Sequence, residues 1–171
     1  MGRTVNAAHT QAHDMRLLIG GVDLFAAMIK AIDAAQQEVR LETYIFSFDG
    51  AGSDVALALM RAAQRGVRVC VLVDGVGTGE LPAPWADRMA QAGVQVHVFA
   101  PAVGIGFWLP SRWRRMHRKL CAVDKDLAFC GGINILDDYL DPHVQGLLKA
   151  PRLDYAAVSY THLRAHETLM N

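Results

Sequence analysis

The chain lacks what would commit it to a membrane span, a disulfide scaffold or a nucleic-acid surface. No run reaches the ~20 apolar residues that cross a bilayer, so any membrane contact is read as peripheral. Lysine plus arginine and aspartate plus glutamate both number 17, a formal net charge of zero. Global charge therefore gives no case for a nucleic-acid partner, and none is expected. Cys70, Cys121 and Cys130 lie in apolar, strand-like runs without metal-ligand spacing. An odd count argues against a disulfide framework, so they read as reduced core residues, and no metal site or cofactor is expected. The first residues, MGRTVNAAHTQAHD, contain no apolar h-region, and no signal peptide is read there. No internal repeat is visible. Gly75-Val76-Gly77-Thr78-Gly79 looks like a phosphate loop, but no Lys-Ser/Thr follows, which excludes a nucleotide site of that kind.

What is present suits one domain. The chain has 171 residues, 52% of them apolar, enough for a core. Residues 1–13 read as a loose leader. Leu17-Leu18-Ile19 is a short strand. Leu24, Phe25, Met28, Ile29 and Ile32 recur every three or four residues, predicting an amphipathic helix over Val22–Gln37. EVRLETYIFSF, Glu38–Phe48, alternates as a strand does. Ser53 is the expected N-cap of a helix running to Gln64 and ending near Gly66. VRVCVLVD, Val67–Asp74, is apolar enough for a strand covered on both faces. A short helix over Trp85–Ala92 and a strand over Val94–Phe99 follow. The alternation predicts an α/β layered domain with a mixed, largely parallel central sheet flanked by helices.

The chemistry concentrates in His117–Asn134, HRKLCAVDKDLAFCGGIN, which fits His-x-Lys-x4-Asp-x6-Gly-Gly-x-Asn. Two apolar runs split by Asp124-Lys125-Asp126 predict a hairpin. Residues two apart on a strand share a face, so His117 and Lys119 project together, with Cys121 and Val123 below. Asp124 has the opposite parity and is expected to shape the turn. The returning strand brings Gly131, Gly132 and Asn134 beside the His and Lys. An imidazole can attack phosphorus and form a phosphohistidine. Lys119 and Asn134 can hold the non-bridging oxygens as charge builds. Glycines let a phosphate approach backbone N–H groups. A phosphodiester is the substrate class this set suits.

At these residues the chain resembles the phospholipase D superfamily. RRMHRKL, Arg114 to Leu120, and LETYIF, Leu41 to Phe46, resemble the bacterial cardiolipin synthase branch, nearest its B type, from about Asp14 to Ala156. The resemblance implies a phospholipase D-like fold and a phosphatidyltransferase working through a phosphohistidine. His117 would be the nucleophile, with Lys119, Asn134 and the motif's Asp124. Asp154 would hydrogen-bond His117 and fix its tautomer. Gly131, Gly132, Arg115, Arg118 and Trp113 would contact substrate, a phosphatidylglycerol-like phospholipid. Superfamily enzymes need two facing motifs, and this chain holds one. The implied partner is a missing second-motif half or a homodimer partner, and the chain is expected to be inactive alone. Phe107, Trp108, Leu109 and Trp113 beside Arg112, Arg114 and Arg115 suit peripheral contact with an anionic membrane. The expected place is the cytoplasmic face of the bacterial inner membrane.

Other residues stay open at this level. Glu42 either pairs structurally or lines the site, and Asp74 either caps a turn or belongs to it. His97 reads as a sheet histidine. The 158–171 segment, VSYTHLRAHETLMN, resembles a translated sequencing-adapter read-through and is expected to be non-native, leaving 14–157 as the domain. The alternatives are a single-motif nuclease working as a homodimer and an inactive membrane-binding fragment.

Overall fold

The computed structural model of the chain describes residues 14–101, 115–141 and 144–160. Nine strands and three helices run in the order β1 (Asp14–Ile19), α1 (Gly20–Ala34), β2 (Glu38–Thr43), α2 (Ala51–Gln64), β3 (Arg68–Asp74), α3 (Ala83–Gln91), β4 (Gln95–Phe99), β5 (Leu120–Val123), β6 (Leu127–Gly131), β7 (Leu140–Asp141), β8 (Val144–Leu147) and β9 (Tyr155–Tyr160). Seven strands form one sheet in the order β1-β9-β6-β5-β2-β3-β4, and β7 pairs with β8.

The sheet is mixed, but its balance differs from the expected one. Among the seven strands of this sheet, β2-β3 and β3-β4 pair in parallel. The pairings β1-β9, β9-β6, β6-β5 and β5-β2 are antiparallel. The physical reason is the hairpin: its two strands enter as a unit beside β2, and β9 then returns between β6 and β1. The helical crossovers account for the parallel half alone.

Alternation along the strands sets the core. Val39, Leu41 and Thr43 of β2, Val69, Val71 and Val73 of β3, and Cys121 and Val123 of β5 are buried together with Leu24, Phe25, Met28 and Ile32 of α1 and Val55, Leu59 and Ala62 of α2. The opposite parity is less covered. Cys70 and Leu72 are half-buried, so β3 is not sealed on both faces. Met15, Leu17, Ile19 and Tyr155 are exposed. The cysteines divide likewise: Cys121 is buried, Cys70 half-buried and Cys130 exposed, so only one is a core residue.

Several boundaries moved for local reasons. The strand expected to run to Phe48 stops at Thr43, whose hydroxyl donates to the Ile45 carbonyl at 2.9 Å. The chain beyond it still pairs. Ile135 N–H donates to Ile45 O and Ser47 N–H to Ile135 O, making a parallel bridge at Phe46 and Ile135. Ser53 is not the N-cap of α2. Gly50 holds that place at φ 53°, and Ser53 Oγ donates back to its carbonyl. α1 has no cap from its own neighbour. The Asp138 carboxylate, 117 residues downstream, accepts the Gly21 N–H at 2.7 Å. β9 runs through Val158, Ser159 and Tyr160, and Val158 is buried. The first three residues of the segment set aside as a tail thus stand in the sheet; 161–171 lie outside the described residues.

Candidate phosphodiester site

The site forms where β2 ends beside the chain entering β5. Regular pairing in β5 starts at Leu120, so His117 and Lys119 lie in the extended segment just before it. Both approach one ring. The imidazole of His117 stacks on Tyr44 with centroids 4.5 Å apart and planes 17° from parallel. Lys119 Nζ is 5.8 Å from the same centroid and donates to the His117 carbonyl at 3.0 Å. His117 is exposed and Lys119 half-buried. Asn134 reaches the next residue of β2's extension: its Oδ1 accepts the Ile45 N–H at 3.2 Å. Tyr44-Ile45 therefore gathers the imidazole, the ammonium and the amide. Sequence reasoning had Tyr44 in a strand and in the LETYIF stretch of the resemblance, with no role of its own. The signal that could have found it is the aromatic just past the buried Thr43, where the strand breaks.

Asp124 stands at the other end of the hairpin. Its carboxylate accepts the N–H groups of Gln36, Gln37 and Glu38 at 2.7, 2.8 and 2.9 Å. Partial burial pushes its pKa up, but the three donors outweigh that and hold the carboxyl below its usual range. Asp124 and Lys125 have φ of 53° and 71°, and Asp126 N–H closes the turn on Val123 O. Asp124 ties the hairpin to the start of β2 and does not meet His117.

The two glycines have a different use from the one expected. Gly131 N–H donates to Lys119 O and Gly132 N–H to Tyr155 O, so neither amide is free for a phosphate. A Cβ at 131 would collide with the backbone of Tyr155 and Ala156, and one at 132 with the Asp154 carboxylate. They are glycine because β9 at 131 and the Asp154 side chain at 132 leave no room for a side chain.

Asp154 accepts its neighbour Tyr155's N–H at 2.7 Å, and its carbonyl accepts Gly20 N–H at 2.9 Å. Among the described residues no hydrogen bond joins it to His117. It precedes β9, which lies two strands from β5, roughly 10 Å at the usual strand spacing. Arg118 is exposed and lies beside Glu42. Its Nε lies 3.1 Å from Glu42 Oε2, an ion pair by distance without a well-directed hydrogen bond. Arg115 is half-buried, with one guanidinium nitrogen buried and without a hydrogen-bond partner among the described residues. Trp113 lies outside the described residues, as does the aromatic and basic loop around it.

Asp74 proves to be more than a turn residue. Fully buried at the end of β3, it accepts Val76 and Gly77 N–H on Oδ1 and Met116 N–H, at 2.9 Å, on Oδ2. Among the described residues no group of His, Cys, Asp and Glu could hold a metal ion.

This arrangement can be set beside known proteins. Residues 28–145 match the family described as cardiolipin synthase, PLD-like domain. Cardiolipin synthase B of Shigella flexneri is 34% identical over 146 residues, covering 85% of this chain and 34% of that protein. Cardiolipin synthase A of Pseudomonas putida is 37% identical over 148 residues, 85% of this chain and 29% of the relative. The chain thus spans about a third of the length of the curated relatives it matches. In structure it resembles Nuc, a phospholipase D family member from Salmonella typhimurium (TM-score 0.61, 20% identity, 88% of this chain and 84% of that one). NucT from Helicobacter pylori is similar (TM-score 0.63, 16% identity, 88% and 87%). With two-thirds of its residues inside the family match and His117, Lys119 and Asn134 of its motif gathered at one strand end, the chain belongs to the cardiolipin synthase, phospholipase D-like family.

Proposed function

We propose that the chain supplies one motif of a phosphatidyltransferase, a half-enzyme inactive without a second motif. The observation that carries this is the convergence of His117, Lys119 and Asn134 on Tyr44-Ile45. A His117 ring nitrogen attacks the phosphorus of a phospholipid such as phosphatidylglycerol. A bond forms from nitrogen to phosphorus, and the bond to the departing alcohol oxygen breaks. Lys119 and the Asn134 amide hold the charged oxygens. The departing oxygen takes its proton from an acid on the second half. An acceptor hydroxyl then gives up its proton to that same group and attacks phosphorus, releasing His117.

Asp154 remains the proposed partner of His117 through a rearrangement on assembly, and Arg115 a phosphate contact. No helix among the described residues is long and apolar enough to cross a membrane. The proposed membrane contact is peripheral, on an anionic inner leaflet, through the Trp108 and Trp113 loop. Unchanged liposome binding after both are substituted would remove it.

A second reading is a single-motif phosphodiesterase or nuclease working as a homodimer. The chain covers most of Nuc and NucT, so a unit of this extent accounts for nearly all of either solved chain. The two readings separate in paired assays. Lipid-headgroup exchange, with a second-motif half supplied, supports the first. Plasmid cleavage by the chain alone, with a dimer mass on size exclusion, supports the second. Each activity should vanish in His117→Ala; an activity that survives it discards both.

A further inference from the structure

The loop after β3 has the look of a phosphate loop and no phosphate-binding lysine, and the reaction gives it no task. Its contacts give it one. Asp74 uses one carboxylate oxygen for Val76 and Gly77 and sends the other to Met116 N–H, 42 residues on and immediately before His117. Thr78 closes the turn by donating its N–H to Asp74 O at 2.9 Å. The Thr78 hydroxyl then clamps the other side of the site. It accepts Phe46 N–H at 3.0 Å and donates to Tyr44 O at 3.1 Å. Gly77 lies so close to Tyr44 that a Cβ there would strike both its carbonyl and its ring.

We infer that the Asp74–Thr78 turn is the positioning device of this site, with Asp74, Thr78 and Tyr44 as positioning residues for His117. One end of the turn fixes the backbone entering His117. The other fixes the backbone that carries the ring on which the imidazole rests. The device is needed because His117 is exposed and precedes the regular strand, so the ladder does not lock its side-chain torsions. A nucleophile displaced by about 1 Å loses about a hundredfold in rate. A turn cap alone would need one carboxylate oxygen; the second is explained by its reach to Met116. The inference rests on reading His117 as the attacking group.

The test uses the full chain with histidine labelled at Cε1, the His117 signal being identified by its loss in His117→Ala. Stacking on Tyr44 should shield that signal. Tyr44→Leu should abolish the shielding, and Tyr44→Phe, which keeps the ring, should restore it. Thr78→Val should reduce it while thermal melting shows the fold intact. Asp74→Asn, which keeps one acceptor oxygen, should do the same but is the variant that threatens folding, so Thr78→Val carries the decision. Phosphodiester turnover with a chromogenic diester, second half supplied, should fall about tenfold to a hundredfold in kcat for Tyr44→Leu, with KM little changed. An unshifted His117 signal in Thr78→Val, with the fold intact, overturns the inference. Turnover that survives His117→Ala overturns the nucleophile instead, whatever the signal shows.

Discussion

The side-chain oxygen of Asn134 takes the backbone N–H of Ile45 at 3.2 Å. That bond settles which way the amide lies, since only an oxygen can accept there. The NH2 end is then the donor end of the amide, which is what a phosphate oxygen needs. Asn134→Asp keeps the Ile45 contact and replaces the donor with a negative charge. Binding of orthovanadate, a phosphate mimic, should weaken at least about tenfold, the worth of a hydrogen bond to a charged group. Vanadium NMR titration measures it without needing a second half. Equal affinity in the two proteins would remove Asn134 from the phosphate site.

Gly131 and Gly132 make a different kind of prediction. Had they served to bare N–H groups to substrate, alanine would cost activity and leave stability alone. Their N–H groups are already used within the sheet, and the space above each is filled by β9 or Asp154. Gly131→Ala should destabilise by about 1–3 kcal/mol, as overpacking does. Gly132→Ala should cost less, because the Asp154 side chain can swing aside where backbone cannot. Urea midpoints order the two variants; Gly132→Ala the more damaging would contradict the geometry.

The three cysteines should separate by reactivity. Burial pushes the Cys121 thiol up to about 12, so almost no thiolate forms at pH 8. Cys130 is exposed and Cys70 half-buried, with Sγ 3.2 Å from Gln95 Oε1. Under native conditions an aromatic disulfide reagent should label Cys130 first and leave Cys121 untouched until the protein unfolds. Labelling of Cys121 at the rate of Cys130 would show that β5 opens readily.

The motif was legible because it is local. Two-residue parity along one extended segment predicted that His117 and Lys119 project together and that Asp124 does not join them; both of the first two approach Tyr44, and Asp124 lies at the far turn. Both outcomes need only the geometry of one hairpin. The helices were legible for a similar reason, within two or three residues. What escaped depends on contacts between distant segments. The β9 insertion between β1 and β6 joins chain ends, and no pattern inside either strand announces it. Asp138 capping α1 and Asp74 holding Met116 span 117 and 42 residues. Tyr44 reads as one more aromatic in a strand until the strand stops at Thr43. The expected Asp154–His117 bond came from resemblance, and no pattern in either segment bears on it.

Asp124 links the hairpin to acid stability. Its carboxyl sits below the usual range in the folded chain because three backbone donors outweigh the opposing effect of burial. The unfolded chain, with an ordinary value near 3.9, therefore takes up the proton first as pH falls. The stabilisation is complete above that value and is lost as pH drops through the lower, folded one. Asparagine tolerates the left-handed backbone of the turn, φ 53° at this position, so Asp124→Asn removes the charge and keeps the loop. At pH 7 the variant should be less stable by about 1 kcal/mol, a net value for a hydrogen-bonded surface group. At an acid pH below the folded value, where both forms are neutral, the gap should close. Urea midpoints at the two pH values measure it. A gap that persists undiminished in acid would mean that shape, not charge, holds the hairpin to β2.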